Sequence, residues 1–221
     1  MNRQNRRRPF DPTLYLVVGS ADTRGRPVED VVRAAVAGGV TMVQLREKAL
    51  PDAPMIDLAR RLIPIVRSHA VAFIINDRIE VALAVDADGV HLGQDDRDPV
   101  AARAALGPDR IIGVSAGTPE EAARVDPAVA DYAGVGSVFP TATKPDAGPA
   151  IGLDGLRALS RMIPLPVVAI GGINRTNAAH AIVNGADGVA VVSAICAAPD
   201  PCRAARALRA EITAVKGRQV D

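Results

Sequence analysis

The chain alternates between short apolar runs and longer stretches with helical spacing. Eight runs rich in β-branched residues have the length of buried strands. They are Leu14-Val18, Thr41-Leu45, Val71-Ile75, Gly89-Leu92, Arg110-Val114, Asp131-Gly136, Pro166-Ile170 and Gly188-Val192. Between them, apolar residues recur with the period of an amphipathic helix, as in Val28-Gly38, Met55-His69, Pro119-Val125 and Asn177-Asn184. Strands that alternate with helices across short loops predict a parallel sheet flanked by helices.

Eight such units in 221 residues favour closure into an α/β fold of the (β/α)8 TIM barrel type, which we expect to form one catalytic domain over residues 13–216. A faint repeat agrees, since "AGGVTMVQL", "DADGVHLGQ", "DYAGVGSVF" and "GADGVAVVS" lead into the second, fourth, sixth and eighth runs. The alternative is an open doubly wound sheet, which would place a Gly-rich fingerprint after its first strand. This chain has "VVGSADTRGRP" there, so the barrel is preferred.

Charge is balanced, with 26 Lys and Arg against 25 Asp and Glu. No overall field therefore draws the protein to nucleic acid or to a membrane, and we expect neither partner. Residues 1–12 are predicted to form a disordered basic tail, and the apolar run after it is too short for a signal peptide. We expect a cytoplasmic protein, with a homo-oligomer left open. Cys196 and Cys202 match no zinc spacing and are predicted to be inert thiols.

Carboxylates follow two successive strands of the predicted barrel. Asp77 comes directly after the third strand and Asp96 shortly after the fourth. Because the active site of a barrel lies at the carboxyl ends of its strands, these residues should be neighbours. Mg2+ takes one or two carboxylates and fills its shell with water and substrate phosphate, so the pair predicts a magnesium site. The alternative is that each carboxylate caps the helix that follows it.

The second strand ends in "MVQLREK". Side chains alternate along a strand, so Gln44, Arg46 and Lys48 share one face and Glu47 points to the other. A row of polar and cationic groups that rises toward the mouth is costly to bury without partners, and a phosphorylated ligand would supply them. The alternative is a solvated salt bridge between Glu47 and one of its two neighbours.

Further candidates follow the fifth and sixth strands. Ser115 stands at the end of "GVS", and the segment 138–149, "VFPTATKPDAGP", is too polar to be core and has the composition of a binding loop. Its Thr141, Thr143 and Lys144 offer two hydroxyls and a cation to a phosphate. An ordinary turn remains the alternative for the two threonines.

The last two strands end in "AIGGIN" and "AVVSAI". The loops after strands seven and eight, with the start of a short helix, form the recurrent phosphate site of these barrels. This site would lie near Gly172, Val192 and Ser193. Two phosphate sites, of which only one has carboxylates, indicate two phosphorylated substrates and the departure of a diphosphate stabilised by Mg2+, Lys and Arg. His91 lies inside a strand, where we expect it to pack or to form hydrogen bonds.

From Leu14 to Ile195, the segments "VQLREK", "INDR", "GVHLGQDD", "IGVS", "VFPTATKPDAGP", "IGLDGL", "AIGGI" and "VAVVSAI" together resemble the thiamine phosphate synthase family. The resemblance implies a TIM-barrel transferase of thiamine biosynthesis. It would join 4-amino-2-methyl-5-(diphosphooxymethyl)pyrimidine to hydroxyethylthiazole phosphate, or to its carboxylated form, and release pyrophosphate. It also implies a dissociative order, in which diphosphate leaves before the thiazole nitrogen attacks.

Roles for individual residues follow from the same resemblance. The residues implied to contact the pyrimidine diphosphate are Gln44, Arg46, Glu47, Lys48, Asn76, Ser115 and Lys144, and we expect Arg46, Lys48, Ser115 and Lys144 to be catalytic. Asp77 and Asp96 would bind Mg2+. The residues implied to hold the thiazole phosphate are Thr141, Thr143, Gly172, Val192 and Ser193.

The chain departs from the family pattern at a few positions. Val18-Gly19 stands where Thr-Asp is usual, Gly117 where His is common, and Ser137 where Pro is frequent. Two other functions stay in view. A related thiazole tautomerase uses a histidine near the fifth strand, and Gly117 argues against it. A non-catalytic sensor of thiamine precursors could lose its metal carboxylates freely, yet both are present.

Overall fold

The computed structural model describes residues 8–141, 143 and 148–218. Eight parallel strands form a closed barrel in chain order, β1 to β8. The strands are Leu14–Val18, Met42–Leu45, Ala72–Asn76, Gly89–Leu92, Ile111–Ala116, Tyr132–Val135, Val167–Ile170 and Gly188–Val191. Each lies within two residues of its predicted run at both ends. The predicted TIM barrel is confirmed.

Helices follow the strands around the outside of the barrel. They are α1 to α9 in chain order: Val28–Ala37, Asp52–Arg67, Ile79–Ala84, Pro99–Leu106, Pro119–Ala123, Gly152–Met162, Ala178–Val183, Ser193–Cys196 and Pro201–Arg218. A short 3-10 helix, Ser20–Asp22, follows β1. The last helix, α9, packs against α1 and α7 and so closes the ring. In the described parts of the chain, no helix is long and apolar enough to cross a membrane.

Alternation along the strands divides the apolar residues into two cores. On β1, Leu14, Leu16 and Val18 face the helices, whereas Tyr15 and Val17 face the barrel axis. The larger core lies between strands and helices. The smaller one fills the barrel interior with residues that include both tyrosines of the chain. The barrel interior is therefore packed with side chains and does not form an open channel.

Four residues, which we call the strand clamps, recur at the amino-terminal end of the barrel. They are Thr41, Asp88, Asp131 and Asp187, each placed immediately before an even-numbered strand. Each side-chain oxygen accepts the backbone N–H at the start of the preceding strand at 2.8–3.0 Å. The backbone N–H of each clamp donates, at 2.8–2.9 Å, to the carbonyl of the residue whose N–H its side chain accepts. The faint sequence repeat thus has a physical basis: an odd strand and the next even strand form one hydrogen-bonded unit.

The segment 8–12, which the sequence placed in a disordered tail, lies against the amino-terminal end of the barrel. The guanidinium of Arg8 contacts Asp86 at 2.9 Å and Asp88 at 2.7 Å. The Phe10 ring lies 5.7 Å from the ring of Tyr132 and packs on the interior core. These contacts hold the segment because they combine an ion pair with apolar burial. Residues 1–7 of the predicted tail are outside the described residues.

Candidate active site

The carboxyl ends of the strands enclose a cavity of about 300 Å³. Most residues predicted from the sequence line it: Gln44, Arg46, Lys48, Asn76, Asp96, Ser115, Thr141, Thr143, Gly172, Val192 and Ser193. Closure of the barrel therefore brings residues from β2 to β8 into one site. Glu47 and Asp77 do not line this cavity. The predicted residue Lys144 is outside the described residues.

The alternation predicted for β2 and the residues after it explains which side chains reach the cavity. Gln44, Arg46 and Lys48 line it. Glu47 is buried, and its carboxylate accepts the Ser20 backbone N–H at 2.6 Å. The substrate contact implied for Glu47 does not match this placement, because its carboxylate fixes the loop after β1. A salt bridge from Glu47 to Arg46 or Lys48 is likewise not found among the described residues.

Asp77 lies beside the lysine of this row. Its backbone is in the left-handed region, with φ of 54°, and its Oδ2 accepts hydrogen bonds from Lys48 Nζ at 2.5 Å and Asn76 Nδ2 at 2.8 Å. The next helix, α3, has Arg78 at its N-cap position and no side-chain capping bond. Asp77 is thus directed toward a cation and an amide at the mouth, and the alternative role as a helix cap is wrong.

Asp96 is held by the loop that follows β4. Its Oδ2 accepts the Gly93 backbone N–H at 2.6 Å. The helix cap that the alternative interpretation assigned to this loop belongs instead to Asp98, whose carboxylate accepts the N–H groups of Val100 and Ala101 at 3.0 Å. Asp96 therefore lines the cavity without a capping role.

Asp77 and Asp96 are the residues that would hold a magnesium ion together with a phosphorylated ligand. Asp77 and Asp96 follow adjacent parallel strands, in which Asn76 is in register with His91. Across residues 8–141, 143 and 148–218, no cluster of three or more His, Cys, Asp or Glu could hold a metal ion. Magnesium needs only one or two carboxylates when water and phosphate complete its shell, so the pair suffices.

A glycine cradle follows β7 at the mouth of the barrel. Gly171 and Gly172 have φ of 99° and 63°, and a Cβ on Gly172 would lie 2.5 Å from the Pro140 carbonyl oxygen. No other residue type fits here, because its side chain would meet backbone. Ser193 begins α8, as predicted. A shallower cavity adjoins this side and is lined in part by Thr141, Thr143, Gly172 and Ser193.

A chain of hydrogen bonds runs beneath the cavity. We call it the floor network, and its members are Gln44, Tyr15, Tyr132, His91 and Ser115. Gln44 Nε2 donates to the Tyr15 hydroxyl at 2.7 Å, and the two tyrosine hydroxyls are 2.9 Å apart. His91 lies between the Tyr132 hydroxyl and Ser115 Oγ, at 3.0 Å from each. The expected hydrogen-bonding role of His91 is confirmed, whereas sequence reasoning did not find either tyrosine.

Two glycines leave room for the rings of this network. A Cβ on Gly113 would lie 2.1 Å from Tyr132 Cζ, and one on Gly134 would lie 3.1 Å from His91 Cε1. Gly113 is directly in register with Tyr132 across β5 and β6. β5 and β6 each have a glycine where one of these rings packs, so the barrel interior has room for the floor network.

Burial raises the pKa of several side chains in the barrel. It raises the pKa of Tyr15 and of Tyr132 well above the ordinary value, so both phenols stay protonated at neutral pH. It also raises the pKa of the Cys196 thiol to about 12. A thiol with this pKa carries almost no thiolate near neutrality, in agreement with the predicted inert role.

The departure from the family pattern at Gly117 has a local explanation. The Gly117 N–H donates to Glu121 Oε2 at 2.6 Å. A Cβ at this position would lie 2.9 Å from the Gly136 carbonyl oxygen. A histidine would therefore require the backbone to shift, and the loop after Ser115 is built here around glycine.

Comparison with known proteins agrees with this arrangement. The family model described as thiamine monophosphate synthase matches residues 14–195. A thiamine-phosphate synthase of Moorella thermoacetica is 49% identical over 93% of this chain and 98% of its own length. One from Archaeoglobus fulgidus is 52% identical over 83% of this chain and 86% of its own length. The solved thiamine phosphate pyrophosphorylase from Pyrococcus furiosus has a TM-score of 0.85 and 41% identity, with 93% of this chain and 97% of that chain covered. The chain belongs to the thiamine monophosphate synthase family.

Proposed function

We propose that this chain is a transferase that forms thiamine phosphate. It would join 4-amino-2-methyl-5-(diphosphooxymethyl)pyrimidine to the nitrogen of a thiazole phosphate and release pyrophosphate. The thiazole would be hydroxyethylthiazole phosphate or its carboxylated form, and the carboxylated form would also lose its carboxyl group as carbon dioxide. The observation that carries the proposal is a single cavity with two unlike groups of lining residues. Arg46 and Lys48, which follow β2, form the cationic side, and Gly172 and Ser193, which follow β7 and β8, form the other group. Such a cavity can hold a diphosphate and a monophosphate at the same time.

The cationic side would hold the pyrimidine diphosphate. Arg46 can bind phosphate oxygens through two N–H groups, and Lys48 acts as a point charge. The bond from the methylene carbon to the diphosphate oxygen breaks, and its electron pair leaves with the diphosphate. Both cations stabilise the charge that develops on that oxygen. Lys144 is proposed to add a third cation from the neighbouring loop.

The remaining contacts would position the two rings. Gln44, Asn76 and Ser115 line the cavity and are proposed to contact the pyrimidine. Thr141, Thr143, Gly172, Val192 and Ser193 are proposed to hold the thiazole phosphate. The thiazole nitrogen then forms a bond to the pyrimidinylmethyl cation with its lone pair. No proton is transferred in this step, so the reaction needs no general base.

Magnesium is proposed as the cofactor, with Asp77 and Asp96 as its protein ligands. When bound, the ion supplies Lewis-acid stabilisation of the leaving diphosphate. The carboxylates are on adjacent loops, and Lys48 contacts one of them. We expect Lys48 to pass from Asp77 to a diphosphate oxygen once a cation and the substrate are present.

Formation of thiamine phosphate tests the proposal directly. Purified protein is given both phosphorylated precursors, with and without Mg2+, and the product is oxidised to a fluorescent thiochrome phosphate. We expect product only when Mg2+ is present. A folded protein that forms no product from either thiazole form would refute the proposal.

The metal assignment has a matched control within one loop. Asp96→Asn should raise the Mg2+ concentration needed for half-maximal activity by about tenfold or more, because the ion loses a charged ligand. Asp98→Asn changes a carboxylate two residues away that caps α4. It should leave the magnesium dependence unchanged. Equal magnesium curves for the two variants would show that Asp96 does not bind the metal.

The other functions predict different assay results. A tautomerase would convert one thiazole phosphate isomer to another without consuming the pyrimidine, and a sensor would bind precursors without turnover. Gly117 and the joint presence of Lys48, Asp77 and Asp96 favour the synthase. Cytoplasmic location and assembly of identical chains stay predictions.

A further inference from the structure

The floor network connects the barrel interior to two residues proposed to contact the pyrimidine. The chain has 2 tyrosines, and both belong to this network. At one end it reaches Gln44, and at the other end Ser115. Both end residues line the cavity. The direction of hydrogen bonding along the network therefore decides what these residues present to a ligand.

That direction follows from the number of protons on each group. The carboxamide nitrogen of Gln44 can only donate, so the Tyr15 oxygen accepts. Either tyrosine could donate across the 2.9 Å contact, but the Tyr132 oxygen is the one acceptor that the described residues offer to the Tyr15 proton, so we infer that Tyr15 donates to Tyr132. Tyr132 also has one proton, and it is directed to Nδ1 of His91. In this direction Nδ1 of His91 is the acceptor, and the ring donates through Nε2.

The effect reaches the cavity through Ser115. His91 Nε2 donates to Ser115 Oγ, which leaves the serine proton available to the ligand. We infer that Tyr132 and His91 are positioning residues that fix Ser115 as a hydrogen-bond donor to an acceptor atom of the substrate, such as a ring nitrogen. The identity of that substrate rests on the proposed function, whereas the tautomer of His91 is independent of the proposed function.

The surroundings of the network support a fixed direction. Tyr15 and Tyr132 line the cavity but are only 2% and 0% exposed, which limits competition from water for their hydroxyls. Burial raises the pKa of both phenols, which keeps one proton on each. The His91 and Tyr132 rings are 5.5 Å apart at an angle of 30°, beside the two glycines that make room for them. These contacts restrict rotation of the imidazole.

Nitrogen-15 NMR of histidine-labelled protein measures the tautomer without substrate. The chain has 3 histidines, and a His91→Gln variant assigns the signal of interest. At about pH 8, above the ordinary histidine pKa of about 6.5, we expect His91 to have its proton on Nε2. A proton on Nδ1 in the wild-type protein would overturn the inference.

Two tyrosine variants form a matched pair, because each removes one buried hydroxyl. Tyr132→Phe removes the donor to Nδ1, and His91 should then populate both tautomers. Tyr15→Phe leaves that donor in place, so His91 should keep its proton on Nε2. The same tautomer in both variants would contradict the inference. If Tyr132→Phe does not fold, the wild-type spectrum still decides the question.

Kinetics connect the tautomer to recognition. In Tyr132→Phe we expect the KM for the pyrimidine substrate to rise about tenfold with kcat nearly unchanged, the result of losing one hydrogen bond made equally in ground and transition states. An unchanged KM would overturn the role assigned to Ser115. A wild-type protein with no activity but with the Nε2 tautomer would instead refute the proposed function alone.

Discussion

The two ends of the barrel use polar residues in different ways. At the amino-terminal end, carboxylates bind backbone N–H groups and arginines of the same chain, as Asp131 binds Ile112 and Arg103. At the carboxyl end, Arg46 and Ser115 face a cavity. The first set completes its interactions on folding, whereas the second leaves part of its hydrogen-bonding capacity for a ligand. Stability and chemistry are thus assigned to opposite ends of the same strands.

The largest effect on activity is expected at the mouth. Lys48→Gln should lower kcat/KM for thiamine phosphate formation by about 10²–10³-fold, since a charge that stabilises the leaving group is lost. Its effect on the free energy of unfolding should stay within about 1 kcal/mol, because the pair with Asp77 is partly exposed.

The matched control for this change is a lysine at the other end. Lys216 Nζ donates to Thr13 Oγ1 at 3.0 Å, just before β1. Lys216→Gln removes the same charge far from the cavity and should leave kcat/KM unchanged. If both lysine variants lost activity alike, the separation of the two ends would not hold.

The largest effect on stability is expected at the amino-terminal end. Asp131→Ala removes the acceptor of the Ile112 N–H and leaves the partly buried guanidinium of Arg103 without its carboxylate at 2.7 Å. The free energy of unfolding should fall by about 3 kcal/mol, as measured by urea denaturation. The kcat at a temperature where the variant is folded should be nearly unchanged. A large loss of kcat would show that this end is coupled to the chemistry.

A smaller loss of stability is expected at Asp187, a strand clamp with an exposed side chain. Asp187→Ala removes the acceptor of the Val167 N–H, but no arginine depends on that carboxylate among the described residues. Urea denaturation should show a loss of about 1 kcal/mol. A loss equal to that of Asp131→Ala would mean that the partly buried arginine adds nothing to the clamp.

The smallest effect concerns a surface carboxylate and depends on pH. Desolvation tends to raise the pKa of Asp86, but hydrogen bonds and charges from Arg8 and Arg110 outweigh it and lower the pKa below the ordinary value. The stabilisation is therefore present above the ordinary aspartate pKa and is lost as pH falls through the lower, folded value. Asp86→Asn should cost less than about 1 kcal/mol at neutral pH. Urea denaturation at about pH 2 should show no difference from wild type, and a persistent difference would exclude a charge effect.

The fold was predictable because its signals are local. Short apolar runs, helical spacing between them and glycine-bearing loops repeat along the chain, and strand bounds read from them agree closely with the structure. The predicted tail was less accurate at residues 8–12. Its arginine and phenylalanine contacts depend on Asp86, Asp88 and Tyr132, which are distant along the chain. Composition alone does not reveal such partners.

The mouth was largely predictable because carboxyl ends of parallel strands meet, whereas the floor was not. In "LYLVV" and "YAGV", both faces are apolar, so alternation does not show which face of β1 or β6 is internal. The contact between Tyr15 and Tyr132 further depends on barrel closure. For Glu47 the two kinds of prediction disagree. Alternation correctly placed its side chain on the face opposite to that of Arg46, whereas the family resemblance implied a contact with the substrate.

The strand clamps determine where the chain can be divided. Each clamp connects an odd strand to the next even one, so the polypeptide consists of four successive modules. A break in the connection between α4 and β5 gives two fragments. Each fragment keeps two clamps together with the strands that they connect. A break between β3 and β4 separates Asp88 from the Phe73 N–H that it binds. Complementation by two half-barrels is therefore favoured at the first position, and circular permutants of this barrel should begin at odd-numbered strands.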